Sequence, residues 1–299
     1  EYVWVVVPKT TAVYATTGLG KTTFTDADYR SIETDLKNYT STYVTISGYL
    51  DTYAADTANV GWFENATAYN NLKNSMLKSV YENGGFYVGR YEAGIDTTTG
   101  TNRTSIEAKV GGKYPVPTTA PVSKADAYPY TYVTRTQAQN LASNVNSGTK
   151  TSSLMFGVQW DLVLAFMSKD TAKITSTDDL TSNSTKIGNY RDSVFQLSQT
   201  GKYATYSNCK LSPTWNPSTT ATTNFVDSSR NKIAQSSSGS GLLVTTGTSE
   251  KNKVMNIYDI AGNVFEWNLE NTLGTYGPCV DRGGFYGITG FGSTASYRN

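Results

Sequence analysis

The residue types missing from this sequence restrict its chemistry more than the types it contains. The 299 residues include no histidine, which removes imidazole bases, histidine-activated nucleophiles and histidine-ligated zinc, iron or copper sites. Cys209 and Cys279 are too few for a four-thiolate zinc site, and they form either one disulfide or two buried thiols. Asp161 and Asp192 have no spacing that supports a pair for sugar hydrolysis, so we expect solvated surface carboxylates.

The chemical groups that remain near the C-terminus are carboxylates and amides. Asp259, Asn263 and Glu266 lie close together in the chain and offer the oxygen ligands that Ca²⁺ prefers. These three residues are therefore a candidate calcium site. Glu266 alone could act as a catalytic acid, but we favour a buried ion pair with Arg282 or Arg298, because an unpaired buried charge costs several kcal/mol.

Hydrophobic spacing predicts three helices that must position these groups. Residues 68–82 carry apolar side chains at helical spacing and end before Gly84, which fits a C-terminal cap. Residues 134–145 open with a capping box and present one apolar stripe. Residues 158–168 are apolar on most sides, which predicts a buried helix.

Strand-like runs are short, and long polar stretches separate them. Residues 2–7 are β-branched and aromatic, and Pro8 ends the run. Residues 10–66 and 169–249 are polar, and we expect them to be insertions or long loops within a single domain spanning residues 1–299. Further strand-like pieces occur at residues 43–46, 86–92, 242–244 and 257–258.

The composition is typical of a protein that acts outside the cell. Charged residues make up only 16% of the chain and the net charge is +1, so the charge does not favour nucleic acid or an anionic membrane as a partner. No run approaches the roughly 20 apolar residues that cross a bilayer. Because the chain begins at Glu1 within an apparent strand, we expect a processed or trimmed N-terminus.

The stretch GGFYGITGFGSTAS near the C-terminus contains no Lys, Asp or Glu. Phe285, Ile288 and Phe291 follow neither a strand nor a helix period, so we expect an exposed recognition loop. In such a loop aromatic rings provide contact area, whereas Ser and Gly provide adaptable polar contacts. Phe265 and Trp267, by contrast, alternate as in a half-buried strand, and we expect them in the core.

Motifs along nearly the whole chain resemble one known family. NIYDIAGNVFEWNLE, followed by DRGGFYG and then SYR, resembles the C-terminal core of the formylglycine-generating-enzyme-like domain, a branch of the C-type-lectin fold. VWVVVP, GGFYVGRYEAG, LMFGVQWDLVLAFM and GNYRDS precede it in the family's order. The resemblance implies an α+β, C-type-lectin-like fold with two main helices, small antiparallel sheets and much irregular loop. Calcium is common in that wider fold.

Within that family the chain is most similar to the variable proteins that retroelements diversify in bacteria and their phages. Those proteins display a hypervariable C-terminal segment beginning at RGG, which corresponds here to residues 282–299. The resemblance implies scaffold roles for Trp267, Glu266, Arg282 and Arg298. It implies ligand contacts from Phe285, Tyr286, Gly287, Ile288, Thr289, Phe291 and Ser293.

The chain departs from the family's known chemistries. The oxidase that gives the family its name uses a cysteine pair shortly after RGG, where this chain has GITGFG. The family's iron-dependent sulfoxide synthases need a histidine cluster, so we expect no catalytic residues here. The resemblance instead implies an extracellular receptor-binding protein or adhesin, on a phage tail or a bacterial cell surface, that binds a protein or glycan receptor and could form homo-oligomers in such an assembly. An enzyme with unknown chemistry and a structural tail-fibre or coat module stay open as alternatives.

Overall fold

The chain combines a few helices with small antiparallel sheets and much irregular loop, which confirms the α+β prediction at this level. The computed structural model describes residues 1–56, 62–145, 150–212, 214–274 and 277–299. In these ranges the helices are α1 (Asp26–Tyr39), α2 (Ala66–Asn83), α3 (Arg135–Ser143), α4 (Gly157–Met167) and α5 (Asp178–Thr181). The strands are β1 (Tyr2–Val6), β2 (Tyr49–Leu50), β3 (Gly85–Gly89), β4 (Gly94–Ile95), β5 (Tyr128–Pro129), β6 (Phe195–Gln196), β7 (Lys202–Ser207), β8 (Lys210–Leu211), β9 (Asn216–Pro217), β10 (Asn231–Lys232), β11 (Gly241–Val244), β12 (Lys253–Val254), β13 (Ile257–Tyr258), β14 (Glu266–Thr272) and β15 (Cys279–Arg282).

Three helices lie where hydrophobic spacing predicts them. α2 ends at Asn83, and its C-terminal cap Gly84 adopts the left-handed conformation with φ of 71°. α3 begins with the predicted capping box between Thr134 and Gln137, and α4 covers the third predicted helix. α1 was not predicted, although a capping box between Thr25 and Asp28 marks its start. It lies inside a polar stretch that we interpreted as loop.

The strands are more numerous than the sequence predicts. β1 pairs with β3 in an antiparallel arrangement, with Val5 opposite Phe86. The predicted strand at residues 43–46 is wrong, because Ser41–Tyr43 forms a 3-10 turn. The stretch 169–249 is not only loop, since it contains a sheet in which β7 pairs with β8, β9 and β11.

α4 lies at the centre of the main hydrophobic core. Almost all of its residues are buried, including Trp160 and Asp161, and α1, α2, β1 and β14 contribute side chains to the same core. A smaller core contains side chains of β6, β7 and β11, including Phe195, Tyr203 and Leu242. No helix in the described ranges is both long and apolar enough to cross a membrane.

A side chain from a distant loop caps the N-terminus of α4. The carboxylate of Asp51 accepts hydrogen bonds from the backbone N–H of Gly157 at 2.6 Å and of Val158 at 3.0 Å. A negative charge in this place satisfies N–H groups that have no partner within the helix and interacts favourably with the helix dipole. The cap fixes α4, and α4 in turn positions Asp161 beneath the C-terminal segment.

Candidate functional site: a clamped loop with an aromatic face

The last part of the chain forms a loop whose two ends meet. Arg282 and Arg298 form an antiparallel bridge. Beside it, the N–H of Asp281 donates to the Asn299 carbonyl at 3.1 Å, and the N–H of Asn299 donates to the Asp281 carbonyl at 3.2 Å. Residues 283–297, which we term the C-terminal loop, therefore form a closed loop whose two ends are joined by one short antiparallel ladder.

Four buried charges hold the two ends of the C-terminal loop. Arg282 contacts Asp161 at 2.8 Å and Glu270 at 3.0 Å. Arg298 contacts the same carboxylates, Asp161 at 2.5 Å and Glu270 at 3.0 Å. All four side chains, which we term the ion cluster, are at most 4% exposed. Burial opposes the charge of Glu270, but the adjacent Arg282 and Arg298 keep its pKa below the ordinary value.

The ion cluster corrects two expectations from the sequence. Asp161 is not a solvated carboxylate, because it is 2% exposed and binds both arginines. The predicted pairing of Glu266 with Arg282 or Arg298 is wrong, since Glu270 takes that place. One signal pointed to Asp161: a charged residue within an otherwise apolar helix requires a buried partner.

Two glycines allow the chain to leave β15 and enter the loop. Gly283 and Gly284 both have positive φ, at 83° and 80°. A Cβ on Gly283 would lie 2.7 Å from the Ile260 carbonyl oxygen, and one on Gly284 would lie 2.5 Å from the Ser293 carbonyl oxygen. Both the backbone conformation and the close approach therefore require glycine.

The predicted ligand-binding residues differ widely in accessibility. Phe291 is 75% exposed, whereas Tyr286 is 9% and Ser293 is 3% exposed. Ile288 is half-buried and packs against the main core. The expectation that Phe285, Ile288 and Ser293 are exposed together with Phe291 is therefore wrong in part. Phe285 and Thr289 are half-buried, and Gly287 is buried.

Five aromatic rings from three parts of the chain form a contiguous, mostly half-buried patch. Phe285 lies 4.9 Å from Phe265 and 5.4 Å from Tyr286, measured between ring centroids. Tyr206 lies 5.3 Å from Tyr286, and Tyr297 lies 6.1 Å from Phe265. We term these five residues the aromatic face. Phe265 is thus not a core residue as predicted, and Tyr206 was missed because nothing local links β7 to the C-terminal loop.

A second segment supports the tip of the C-terminal loop from below. The N–H of Gly290 donates to the Asp192 carboxylate at 3.2 Å, and the carbonyl of Gly290 accepts from the Ser184 N–H at 3.0 Å. Lys232 fixes this segment, because its buried ammonium donates to the carbonyls of Tyr190 at 2.6 Å and Ser193 at 2.7 Å. The tip is therefore held in a defined position while the Phe291 ring projects outward.

The two acidic residues of the candidate calcium site, buried Asp259 and half-buried Glu266, belong to a larger group of carboxylates. Glu92, which was not predicted, accepts a hydrogen bond from the Asn263 amide at 2.6 Å. Burial, followed by the nearby Asp259 and Glu266, raises the pKa of Glu92 well above its ordinary value. Burial also raises the pKa of Asp259 to about 6, and burial with the nearby Asp259 raises that of Glu266 to about 8. Glu92, Asp259 and Glu266 form what we term the carboxylate group.

The geometry does not present a ready-made set of metal ligands. The Asn263 side-chain oxygen already accepts from the Asn189 amide at 2.9 Å and the Val244 N–H at 3.1 Å. One Asp259 oxygen accepts from the Gly247 N–H at 2.7 Å. No group of three or more His, Cys, Asp and Glu residues in the described part of the chain is arranged to hold a metal ion. Calcium binding at Asp259, Asn263 and Glu266 therefore stays a proposal.

The two cysteines do not form a disulfide. Both are free thiols, and Cys209 is exposed whereas Cys279 is only partly buried. The alternative of two buried thiols is therefore also wrong for Cys209. Neither cysteine stabilises the C-terminal loop covalently.

Trp267 is expected to contribute less to stability than its neighbour on β14. Its ring is half-buried, and its indole N–H donates to the Val133 carbonyl at 2.9 Å, whereas Leu269 is fully buried in the main core. We expect Leu269→Ala to cost about 2–5 kcal/mol and Trp267→Ala about 1–3 kcal/mol, below the range for a fully buried Trp. Urea unfolding of both variants provides the test. A larger loss for Trp267→Ala would contradict its placement at the edge of the core.

Comparison of the chain with known proteins leaves the site to be interpreted from its own geometry. No family model, no curated protein and no solved structure matches the sequence or the structure.

Proposed function

We propose that this protein binds a ligand or receptor through the C-terminal loop and the aromatic face. The observation that carries the proposal is the buried ion cluster. Arg282 and Arg298 fix the two ends of the loop to Asp161 and Glu270 in the interior, while Phe291 at the tip is 75% exposed. A large exposed ring on a fixed loop favours recognition, because a rigid aromatic anchor loses little conformational entropy on binding.

The proposed setting follows the sequence resemblance. The chain is a variable protein with a C-type-lectin-like fold of the formylglycine-generating-enzyme type, and residues 282–299 are the diversified segment. It acts outside the cell, on a phage tail or a bacterial surface, where it binds a protein or glycan receptor. The arrangement of the loop supports this proposal. Because Arg282 and Arg298 hold the loop at its ends, other residue types can replace Phe291 at the tip without disturbing the core.

We propose that the protein is not an enzyme. The sequence contains no histidine, and no cysteine follows Arg282, so neither known chemistry of the family has its reactive groups. An enzyme with unknown chemistry and a structural tail-fibre or coat module are the competing classes. Loss of binding on replacement of the Phe291 ring distinguishes the proposal from a structural module, which has no ligand of its own to lose.

Replacement of Phe291 by alanine tests the proposal. Because the ring is 75% exposed, we expect the free energy of unfolding to change by no more than about 0.5 kcal/mol. We expect retention on target cells, measured across a panel of bacteria and on protein and glycan arrays, to fall at least tenfold, as for an aromatic anchor at an interface. Val110→Ala is the matched control, since Val110 is 74% exposed and lies outside the loop.

Two results would contradict the proposal. Unchanged retention of Phe291→Ala would show that the loop tip takes no part in binding. A large loss of stability would show that the ring is buried in solution. Asparagine at Phe285, Ile288 and Ser293 is a poorer test, because these side chains are half-buried or buried and their loss weakens packing as well.

A further inference from the structure

An open cleft whose lining residues are mostly charged or polar lies directly beside the C-terminal loop. It has a volume of about 410 Å³, within the range of small-molecule sites. Its walls come from α5, from the segment that follows α5 and from one residue of the 3-10 turn Glu250–Asn252. The lining residues used below are Asp178, Asn183, Thr185, Asp192, Val194 and Lys251.

The cleft and the loop tip share a wall. The Asp192 carboxylate accepts from the Gly290 N–H at 3.2 Å and from the Thr185 hydroxyl at 3.1 Å. Phe291 follows Gly290 directly and is 75% exposed. A ligand that contacts the Phe291 ring therefore has the cleft within reach.

The lining offers hydrogen-bond donors and acceptors at close quarters. Lys186 neutralises Asp179 at 2.5 Å. The Lys251 ammonium donates to the Val194 carbonyl at 2.5 Å, and the carboxylates of Asp178 and Asp192 accept from neighbouring groups. An ammonium has three donors and a carboxylate about four acceptor positions, so these groups keep capacity for a ligand. The Asn183 amide adds groups of both kinds. A ligand that uses all of these must donate and accept at neighbouring positions, which a row of hydroxyl groups does.

A second cleft adjoins the first at Lys251, which lines both. It has a volume of about 330 Å³ and runs along residues 195–198. Arg230 and Glu250 add a further pair of opposite charges to its walls. Two adjoining polar clefts fit a chain of linked polar units better than one compact molecule.

We propose that these two clefts form a subsite for a saccharide chain, with Phe291 stacking against a sugar ring at one end. The proposal rests on the proposed binding function and names the ligand class for the surface next to the loop. The polar walls bind the hydroxyl groups, and the exposed ring covers an apolar sugar face. A protein receptor that reaches only the loop and the aromatic face is the competing outcome.

The experiment blocks the cleft without touching the loop. Val194 is 53% exposed on the wall of the first cleft, so Val194→Trp fills the cleft with a large ring. Val110→Trp places the same ring on a remote exposed position. Asp178→Ala is a milder second variant, since Asp178 is exposed and its carboxylate accepts from the hydroxyl of the nearby Ser182. The full-length proteins are labelled and applied to an array of defined oligosaccharides and to a protein array, and their melting temperatures are compared.

We expect the parent and Val110→Trp to bind the same oligosaccharides, and Val194→Trp and Asp178→Ala to lose at least tenfold in apparent affinity with parent-like melting. Absence of oligosaccharide binding by the parent overturns the saccharide assignment. Oligosaccharide binding that both Val194→Trp and Asp178→Ala retain overturns the cleft as its site. Protein binding that Phe291→Ala loses and Val194→Trp retains upholds the proposed function and overturns this inference. Oligosaccharide binding that Val194→Trp loses and Phe291→Ala retains upholds the cleft as a saccharide site and overturns the proposed role of the loop tip.

Discussion

Replacing Arg282 by alanine is expected to lower the free energy of unfolding by about 3–5 kcal/mol. Arg282 has no exposed side-chain surface and contacts Asp161 and Glu270 at once. Its removal leaves two buried carboxylates with only Arg298 to balance them, and an uncompensated buried charge is costly. Urea unfolding measures the loss. Lys124→Ala is the control, because Lys124 is 52% exposed in its pair with Asp96, and such surface pairs contribute at most about 1 kcal/mol.

A double-mutant cycle shows whether the two arginines act as one unit. Because Arg282 and Arg298 share both carboxylates, we expect a coupling energy of about 0.5–3 kcal/mol between their alanine substitutions. We also expect faster proteolysis within the C-terminal loop of each single variant, since its ends are released. Additive losses together with an unchanged cleavage rate would show that the ion cluster does not fix the loop.

The helices that could be predicted from the sequence carry both a hydrophobic period and a cap. α3 has its capping box, and α2 has glycine at its C-terminal cap. α1 has a capping box too, but its fully buried apolar residues are confined to Ile32 and Leu36 amid charged neighbours. A narrow apolar stripe within a polar stretch gives a weak periodic signal, so tertiary packing rather than local pattern determines α1.

Apart from β11, which coincides with the strand-like piece predicted at residues 242–244, the strands of residues 169–249 could not be predicted because their partners are distant in the chain. β7 pairs with β11, with Ala204 opposite Leu243, whereas β6, β8, β9 and β10 have two residues each, too few to show alternation. Long-range pairing also determines the aromatic face. Tyr206 at the end of β7 meets Phe285 and Tyr286 only after that sheet has formed.

The choice of Glu270 over Glu266 in the ion cluster also depends on tertiary structure. The two residues have the same parity along β14, so simple alternation places both on one face. The pairing of β14 with β15 shifts register between Trp267 and Asn271. Glu270 lies in that irregular part and reaches both arginines, whereas Glu266 lies nearer Asp259.

The sequence pattern predicts exposure of the C-terminal loop side chains as a group, whereas in the structure they differ in accessibility. The absence of a strand or helix period indicated exposure, and this holds for Phe291. A closed loop also packs against its own surroundings. Ile288 packs on the main core, and Ser293 is buried near Gly284. The sequence therefore predicts where a binding loop lies but not which of its side chains face outward.

Stability is expected to fall as the pH rises from about 5 to about 7, with the carboxylate group as the cause. Burial raises the pKa of Glu266 to about 8 and that of Glu92 well above its ordinary value. The folded chain therefore retains protons that the unfolded chain releases, and their stabilising effect is complete below the unfolded pKa and lost as the pH rises toward the folded pKa. Each retained proton contributes about 1.4 kcal/mol per pH unit, so Glu266 alone accounts for a loss of about 2–3 kcal/mol over these two pH units, and Glu92 adds to it.

Groups whose titration makes stability rise with pH titrate largely outside the range from pH 5 to 7. The pKa of Glu270 is lowered, so its contribution is present above the unfolded carboxyl pKa and is lost only in acid. Burial lowers the pKa of Lys232 to about 7, so this lysine makes stability rise with pH only from about 7 upward. Burial also raises the pKa of Asp51 and of Asp281 to about 6, so these two carboxyls add to the fall between pH 5 and 7. The carboxylate group is expected to contribute the larger part of the slope, because the pKa of Glu266 and that of Glu92 are raised further.

Glu266→Gln is expected to flatten this slope, because an amide keeps the shape of the side chain without a titrating proton. Glu82→Gln is the control, since the Glu82 side chain is 42% exposed and its loss should leave the slope unchanged. Melting curves at pH 5, 6 and 7 with chelator provide the measurement. A parent protein whose stability is constant over this range would contradict the burial of these carboxylates in solution.

Calcium provides the second arm of the same experiment. If Ca²⁺ binds at Asp259, Asn263 and Glu266 as proposed, it replaces protons as the balancing positive charge, so it stabilises the ionised carboxylates and removes the fall between pH 5 and 7. Saturation at 100 times the dissociation constant would add about 2.7 kcal/mol at pH 7. Mg²⁺ should add much less, because it requires a smaller octahedral site and gives up water reluctantly. A pH slope that persists unchanged in millimolar Ca²⁺ would show that the carboxylate group holds protons and not a cation, which would overturn the calcium proposal while leaving the loop and its ion cluster untouched.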